Sequence, residues 1–188
     1  RNGAPSHERH IYHLNRPEYG APAEAALIDL IKGVLAIPDE RRGHFIAFHD
    51  SRQGVERIVR ELETSATLPY RSGYETRDRA RIEEALRTGA LDGVISTSAL
   101  ELGIDVADMT IGVNLGVPQS RKAFRQRIGR VGRSAPGVFF VMADQYAFRR
   151  FGETFRDYWD ASVEPSYLYL GNRFVQYAHA RCLVEEME

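Results

Sequence analysis

An α/β fold, built as a mostly parallel sheet with helices on both faces, is predicted by two features of this 188-residue chain. Short apolar runs that read as buried strands alternate with segments whose apolar residues recur every three or four positions. Parallel strands also need crossovers of about a dozen residues, which are usually helical, and the spacing between the runs supplies them. With 43% apolar, 10% aromatic and 27% charged residues, the composition is that of one compact globular domain and excludes a disordered or fibrous chain.

The elements follow in order. His10 to Leu14 alternates enough to be a first strand. From Pro22 to Ala36 the residues Ala26, Leu27, Leu30, Ile31, Val34 and Leu35 fall at helical spacing, with Pro22 tolerated in the first turn. Pro38 to Gly43 breaks that helix, and His44-Phe45-Ile46-Ala47-Phe48 is nearly all apolar, as in a buried parallel strand. Asp50 or Ser51 can then cap a helix carrying Val55, Ile58, Val59 and Leu62. A brief apolar stretch at Leu68 to Tyr70 leads through a polar loop to a helix from about Thr76 to Thr88, which Gly89 terminates. Gly93 to Thr97, Met109 to Leu115 and Gly137 to Met142 read as further buried strands, with a basic helix from Ser120 to Ile128 between the last two.

Gln145 to Trp159 is rich in aromatics and reads as a helix docked on the sheet or on an adjoining domain, in preference to a base-stacking platform. From Ala161 onward acids outnumber Arg173 and Arg181, as in a connector. The expected organisation is a sheet domain over 1–150, followed over 151–188 by a packing helix and a connector to a downstream domain. The chain opens at Arg1, not Met, and no signal peptide is legible, which reads as a piece of something longer.

Net charge is −1, so any nucleic-acid binding must come from a local patch. Of 25 basic residues only Lys32 and Lys122 are lysines, and neither lies in the Gly-Lys-Ser/Thr setting of a phosphate-binding P-loop, which excludes an autonomous P-loop ATPase. The single cysteine, Cys182, excludes an internal disulfide or a multi-cysteine zinc site, fits a reducing compartment, and reads as a buried apolar packer. No apolar run approaches the roughly 20 residues of a membrane span. His7, His10 and His13 are spaced by three in an extended segment, a poor pattern for a metal site.

Two stretches carry chemistry. In the first, Arg121, Lys122, Arg125, Arg127, Arg130 and Arg133 place six basic residues and no acid within thirteen positions. Gly129 and Gly132 let Arg130 and Arg133 project from a tight turn, and a planar guanidinium suits a phosphate. The same run also fits a solvated basic face. The second stretch, Ile95 to Asp105, leaves a strand for a hydroxyl-rich loop, where open α/β sheets bind ligands: Asp105 could accept from ribose hydroxyls while Thr97 or Ser98 meets phosphate. Alone, that stretch also fits a capping hydroxyl and a turn aspartate.

Spaced by about twenty residues, the two stretches together resemble motifs V and VI of the superfamily 2 helicases. Phe48-His49-Asp50-Ser51-Arg52 resembles motif IV, and Tyr70-Arg71-Ser72-Gly73-Tyr74, with Arg79 and Gly89, resembles the segment after it. The resemblance runs from about residue 43 to 142, and its wording is most similar to the MrfA/YprA and Hrq-type DNA helicases. It implies a second RecA-like lobe, the half of a two-lobe motor that lacks the P-loop and the acidic box. Asp39-Glu40 continues as Arg41-Arg42 and is not that box.

The resemblance further implies ATP and Mg²⁺ in a cleft shared with an N-terminal RecA-like lobe, which holds most of both. Arg130 and Arg133 would be arginine fingers at the γ-phosphate, Gly103 and Asp105 would touch the nucleotide, and Gln126, where many relatives have histidine, would couple nucleotide to strand. Ser51, Arg52, Arg71, Thr97 and Ser98 would hold the sugar-phosphate backbone of a single DNA strand. Arg79 would share that face or instead pair with Glu83. The expected role is the C-terminal lobe of an ATP-dependent helicase or translocase in the cytoplasm, inactive when isolated. An ATP-independent nucleic-acid-binding or scaffold module, and an RNA helicase, stand as alternatives.

Overall fold

A computed structural model describes residues 7–15, 23–38, 43–70, 76–97, 109–118, 120–165 and 171–185. In chain order the elements are β1 (Arg9–Asn15), α1 (Ala23–Leu35), β2 (His44–Phe48), α2 (Arg52–Leu62), β3 (Thr67–Tyr70), α3 (Thr76–Arg87), β4 (Gly93–Ser96), β5 (Met109–Leu115), α4 (Arg121–Ile128), β6 (Gly137–Ala143), a 3₁₀ turn (Gln145–Phe148), α5 (Phe155–Asp160) and α6 (Arg173–Glu185). The six strands form one sheet in the order β1-β6-β5-β2-β4-β3, and every pairing is parallel.

That order explains the two-sided core. The steps from β1 to β2 and from β2 to β3 run one way along the sheet, whereas β3 to β4, β4 to β5 and β5 to β6 return the other way. With right-handed crossovers, α1 and α2 must cover one face and α3 and α4 the opposite face. Side chains alternate accordingly along β2. Phe45 and Ala47 join Leu27, Ile31, Val55 and Ile58 of α1 and α2, while Ile46 and Phe48 join Ile82 and Leu86 of α3 and Phe124 and Ile128 of α4.

The aromatic segment departs from the continuous helix its composition suggests. It divides into the 3₁₀ turn and α5, because Gly152 has φ +139°, a backbone that side-chain-bearing residues rarely adopt, and a Cβ there would lie 2.5 Å from Asp157 Cβ. Thr154 and Asp157 then form a capping box that restarts the chain as α5. Phe148 and Tyr158 are nonetheless fully buried beside Phe124, and the Tyr158 hydroxyl donates to Pro118 O at 3.3 Å. The aromatic segment therefore packs on the core of the sheet.

The described parts of the connector segment carry defined contacts. Glu164 folds back onto the start of α4, where Oε1 accepts from the Arg121 N–H at 2.9 Å and Oε2 from the Lys122 N–H at 3.2 Å. Those bonds hold its carboxyl well below the ordinary glutamate range, at about 2. Farther on, Asn172 caps α6 through bonds from the Phe174 and Val175 N–H groups. The described side chains of α6 are exposed, Phe174 and Tyr177 among them. Cys182 lies on this helix and is exposed, so the buried packing role expected of it is corrected: the helix that carries it turns its described side chains to solvent. His13 is used in packing, bonded to Ala143 O at 3.0 Å and edge-on to Phe148. Among the described residues no helix is long and apolar enough to cross a membrane.

Tyr158→Ala is expected to destabilise the domain by about 3–5 kcal/mol, read from denaturant unfolding, because it empties a buried site lined by Phe124, Phe148 and Phe151. For Glu164 the sign follows from a folded value below the unfolded one: its stabilisation is present above the ordinary glutamate range and is lost as pH falls toward about 2. Unfolding measured across that window should lose stability less steeply in Glu164→Gln than in the parent chain.

Candidate functional site

The sequence-predicted residues that the structure describes gather at opposite ends of the sheet. At the carboxyl ends of β2 and β4, which pair side by side, lie Ser51, Arg52 and Thr97. Ser51 is the N-cap of α2, and its Oγ accepts from the Gly54 N–H at 3.2 Å. A hydroxyl used as an acceptor still has its hydrogen to donate. Arg52 begins α2 and is exposed, beside amide groups that a helix leaves without internal partners. Thr97 is buried one residue beyond β4, its N–H donating to Tyr70 O at 3.3 Å.

The loop after β2 is braced from α1. His49 Nδ1 accepts from the Ser51 N–H at 2.9 Å, which leaves the ring hydrogen on Nε2, 3.1 Å from Glu24 Oε1. The same carboxylate oxygen accepts from Arg57 Nη2 at 2.6 Å. Glu83, the helical partner considered for Arg79, accepts from the Tyr70 hydroxyl through Oε1 at 3.0 Å. Burial and the Glu83 carboxylate together push that phenol well above its ordinary range.

Arg130 and Arg133 lie at the amino end of the sheet. Helix α4 runs down from the carboxyl end of β5 and closes in the turn Gly129 to Arg133, where Val131 bridges to Met109, the first residue of β5. Gly132 has φ +70° and donates its N–H to Met109 O at 2.8 Å. A left-handed residue at this point reverses the chain without the Cβ strain that any other residue would introduce. Arg133 Nε donates to Gly129 O at 3.1 Å. The Arg130 guanidinium is shifted below its ordinary range, first by burial and then by the charge of Arg133. A pair of neighbouring arginines, one partly desolvated, favours an anion between them.

The residue that composition missed is Arg127. It is 4% exposed, donating from Nη1 to Asn114 Oδ1 at 2.9 Å and from Nη2 to Asp50 Oδ1 at 2.8 Å, with its guanidinium carbon 5.2 Å from the centre of the Phe48 ring. Asn114 is itself fully buried and donates to Gly116 O at 2.9 Å. Arg127 therefore ties the helix that leads into the Arg130 turn to the loop that holds Ser51. Its signal was present in the spacing, since Phe124, Arg127 and Ile128 lie on one helical face and that face is buried. Gln126 beside it is half-buried.

The basic run is thus divided between uses. Arg125 stacks on Trp159 at 3.7 Å and donates to Trp159 O, and Arg121 lies 5.2 Å over Phe151 and beside Glu164. These arginines fasten α4 to α5 and the segment after it, while Arg130 and Arg133 occupy the far end. Arg71, Ser98, Gly103 and Asp105, together with Asp39 and Glu40, lie outside the described residues.

Comparison with known proteins shows the family. Residues 24–135 match the family model of the helicase conserved C-terminal domain. The ATP-dependent helicase YprA of Bacillus subtilis is 32% identical over 99% of this chain and 26% of its own length, and the ATP-dependent helicase hrq1 of Schizosaccharomyces pombe is 37% identical over 54% of this chain and 11% of its own length. Among solved structures, the DUF1998 helicase MrfA bound to DNA superimposes with a TM-score of 0.78 at 30% identity, over 97% of this chain and 26% of that one. The chain thus spans about a quarter of the length of YprA and MrfA. It belongs to the helicase conserved C-terminal domain family, as a second RecA-like lobe of the superfamily 2 type found in YprA, MrfA and Hrq1.

Proposed function

We propose that this lobe serves an ATP-dependent superfamily 2 DNA helicase or translocase, supplying arginine fingers to ATP held in a cleft with an N-terminal RecA-like lobe and backbone contacts to a tracked single strand. The observation that carries the reading is the two-ended layout: Arg130 and Arg133 at the amino end of the sheet, Ser51, Arg52 and Thr97 at the carboxyl end, and Arg127 joining the two through α4. The DNA-bound and AMPPNP-bound MrfA structures support DNA and a nucleoside triphosphate as the ligands.

In this reading Arg130 and Arg133 lower the charge cost at the γ-phosphate. Removing solvent from Arg130 strengthens its pull on an anion. Mg²⁺, held by the other lobe, would neutralise charge between the β- and γ-phosphates. Gly103 and Asp105 would meet the nucleotide, and Gln126 would couple its binding to the strand face. Ser51, Arg52, Thr97, Arg71 and Ser98 would grip sugar-phosphate, contacts that carry no sequence information and so suit a protein that moves along its strand. Closing the lobes on ATP and opening them after hydrolysis would shift this grip, with Arg127 transmitting the movement of α4 to the Asp50–Ser51 loop. The isolated lobe, lacking a P-loop, would hydrolyse no ATP.

In the intact two-lobe protein, Arg130→Ala combined with Arg133→Ala is expected to reduce DNA-stimulated ATP turnover by about 10³-fold or more, and a loss below about tenfold would remove the finger assignment. Arg52→Ala should weaken single-strand binding equally for all sequences and reduce the slope of log K against log salt by about 0.7. An unchanged slope would place the phosphate contact elsewhere.

A further inference from the structure

Arg9, the first residue of β1, reaches across to the turn that separates Arg130 from Arg133. Its Nε donates to Val131 O at 2.7 Å and its Nη2 to Gly132 O at 3.2 Å. Parallel pairing of β1 with β6 sets Arg9 opposite Gly137 and so brings it over this turn from 122 residues away. The stem packs there as well, because a Cβ on Gly132 would lie 3.0 Å from Arg9 Cγ. Arg9 precedes the 24–135 segment that matches the helicase family.

Arg9 itself is exposed, so its charge stays in contact with solvent while its donors engage the two carbonyls. A guanidinium presents its donors in a rigid planar fork, so it can hold two consecutive carbonyls in one fixed orientation, which an ammonium on a flexible stem cannot do. With Val131 O and Gly132 O held by Arg9, and the Gly132 N–H held by Met109 O, the backbone between the two arginines is fixed from both sides.

We propose that Arg9 is a positioning residue that sets the aim of the Arg130–Arg133 pair toward the γ-phosphate, a role that rests on the finger reading given above. Misplacing a catalytic group by about 1 Å costs up to about 10²-fold in rate, so the brace should act on turnover and much less on ATP affinity.

The test uses the intact two-lobe protein with Arg9→Met, which keeps the stem and removes the donors, Arg9→Lys, and the double alanine variant at 130 and 133. The readouts are kcat and KM for ATP at saturating single-stranded DNA, and hydrogen exchange of the amides from 130 to 133. Expected for Arg9→Met are a kcat about tenfold lower, a KM within about twofold of the parent and faster exchange in the turn, with Arg9→Lys recovering only part of the rate. If kcat of Arg9→Met stays within about twofold of the parent while the double alanine variant is inactive, the positioning role is overturned and the finger reading stands. Full recovery by Arg9→Lys would also overturn it, leaving charge alone as the contribution. If the double alanine variant keeps its turnover, the finger reading fails and the positioning role falls with it, whatever exchange in the turn shows.

Discussion

Arg127 is the one buried charged side chain among the described residues, and the arrangement of the lobe depends on how that charge is satisfied. A guanidinium removed from water is tolerated only when opposite charge and hydrogen-bond acceptors surround it. Asp50, Asn114 and the face of Phe48 meet that demand, and they come from the loop after β2, the end of β5 and β2 itself. Moving α4 relative to the sheet would break those bonds. The helix that delivers Arg130 and Arg133 is therefore registered against the strands that deliver Ser51, Arg52 and Thr97.

In the proposed reading this registration matters because the two jobs of the lobe lie at opposite ends of one sheet. In that reading phosphate chemistry would sit near the Gly129–Arg133 turn and strand contact near α2 and β4, at the other end of the sheet. An element running between them with a fixed attachment at each end can carry a displacement. A flexible linker cannot. The attachments of α4 to α5 and Glu164 tie these parts of the chain after the sheet to α4, so they take part in positioning the helix.

Arginine is suited to every one of these places. Stacked on Trp159, forked between Asp50 and Asn114, or set over two carbonyls of a turn, a planar cation makes directional bonds that an ammonium does not. The same residue type therefore serves packing at Arg121 and Arg125, registration at Arg127 and, in the proposed reading, catalysis at Arg130 and Arg133. Counting basic residues along α4 could not separate these uses. What separates them is burial and partner, which are properties of the folded chain.

The sequence by itself determined the strands, since His44–Phe48, Gly93–Ser96 and Gly137–Ala143 are short apolar runs that have no stable place except a sheet covered on both sides. It also determined a cap of α2 at Asp50 or Ser51, the αL glycine at 89 and the positions of Arg130 and Arg133 at a glycine-containing helix end, because each depends on neighbours within a few residues. Three features escaped it: the break at Gly152, the helix carrying exposed Cys182, and the buried use of Arg127. The break depends on Asp157 crowding a glycine, and Cys182 on whether α6 finds a surface to cover. Only the tertiary structure decided which arginines face inward, and that Arg9 meets a turn 122 residues away. Those outcomes depend on strand order and on the depth of burial. Local spacing encodes neither, because both arise when distant segments compete for the same enclosed space.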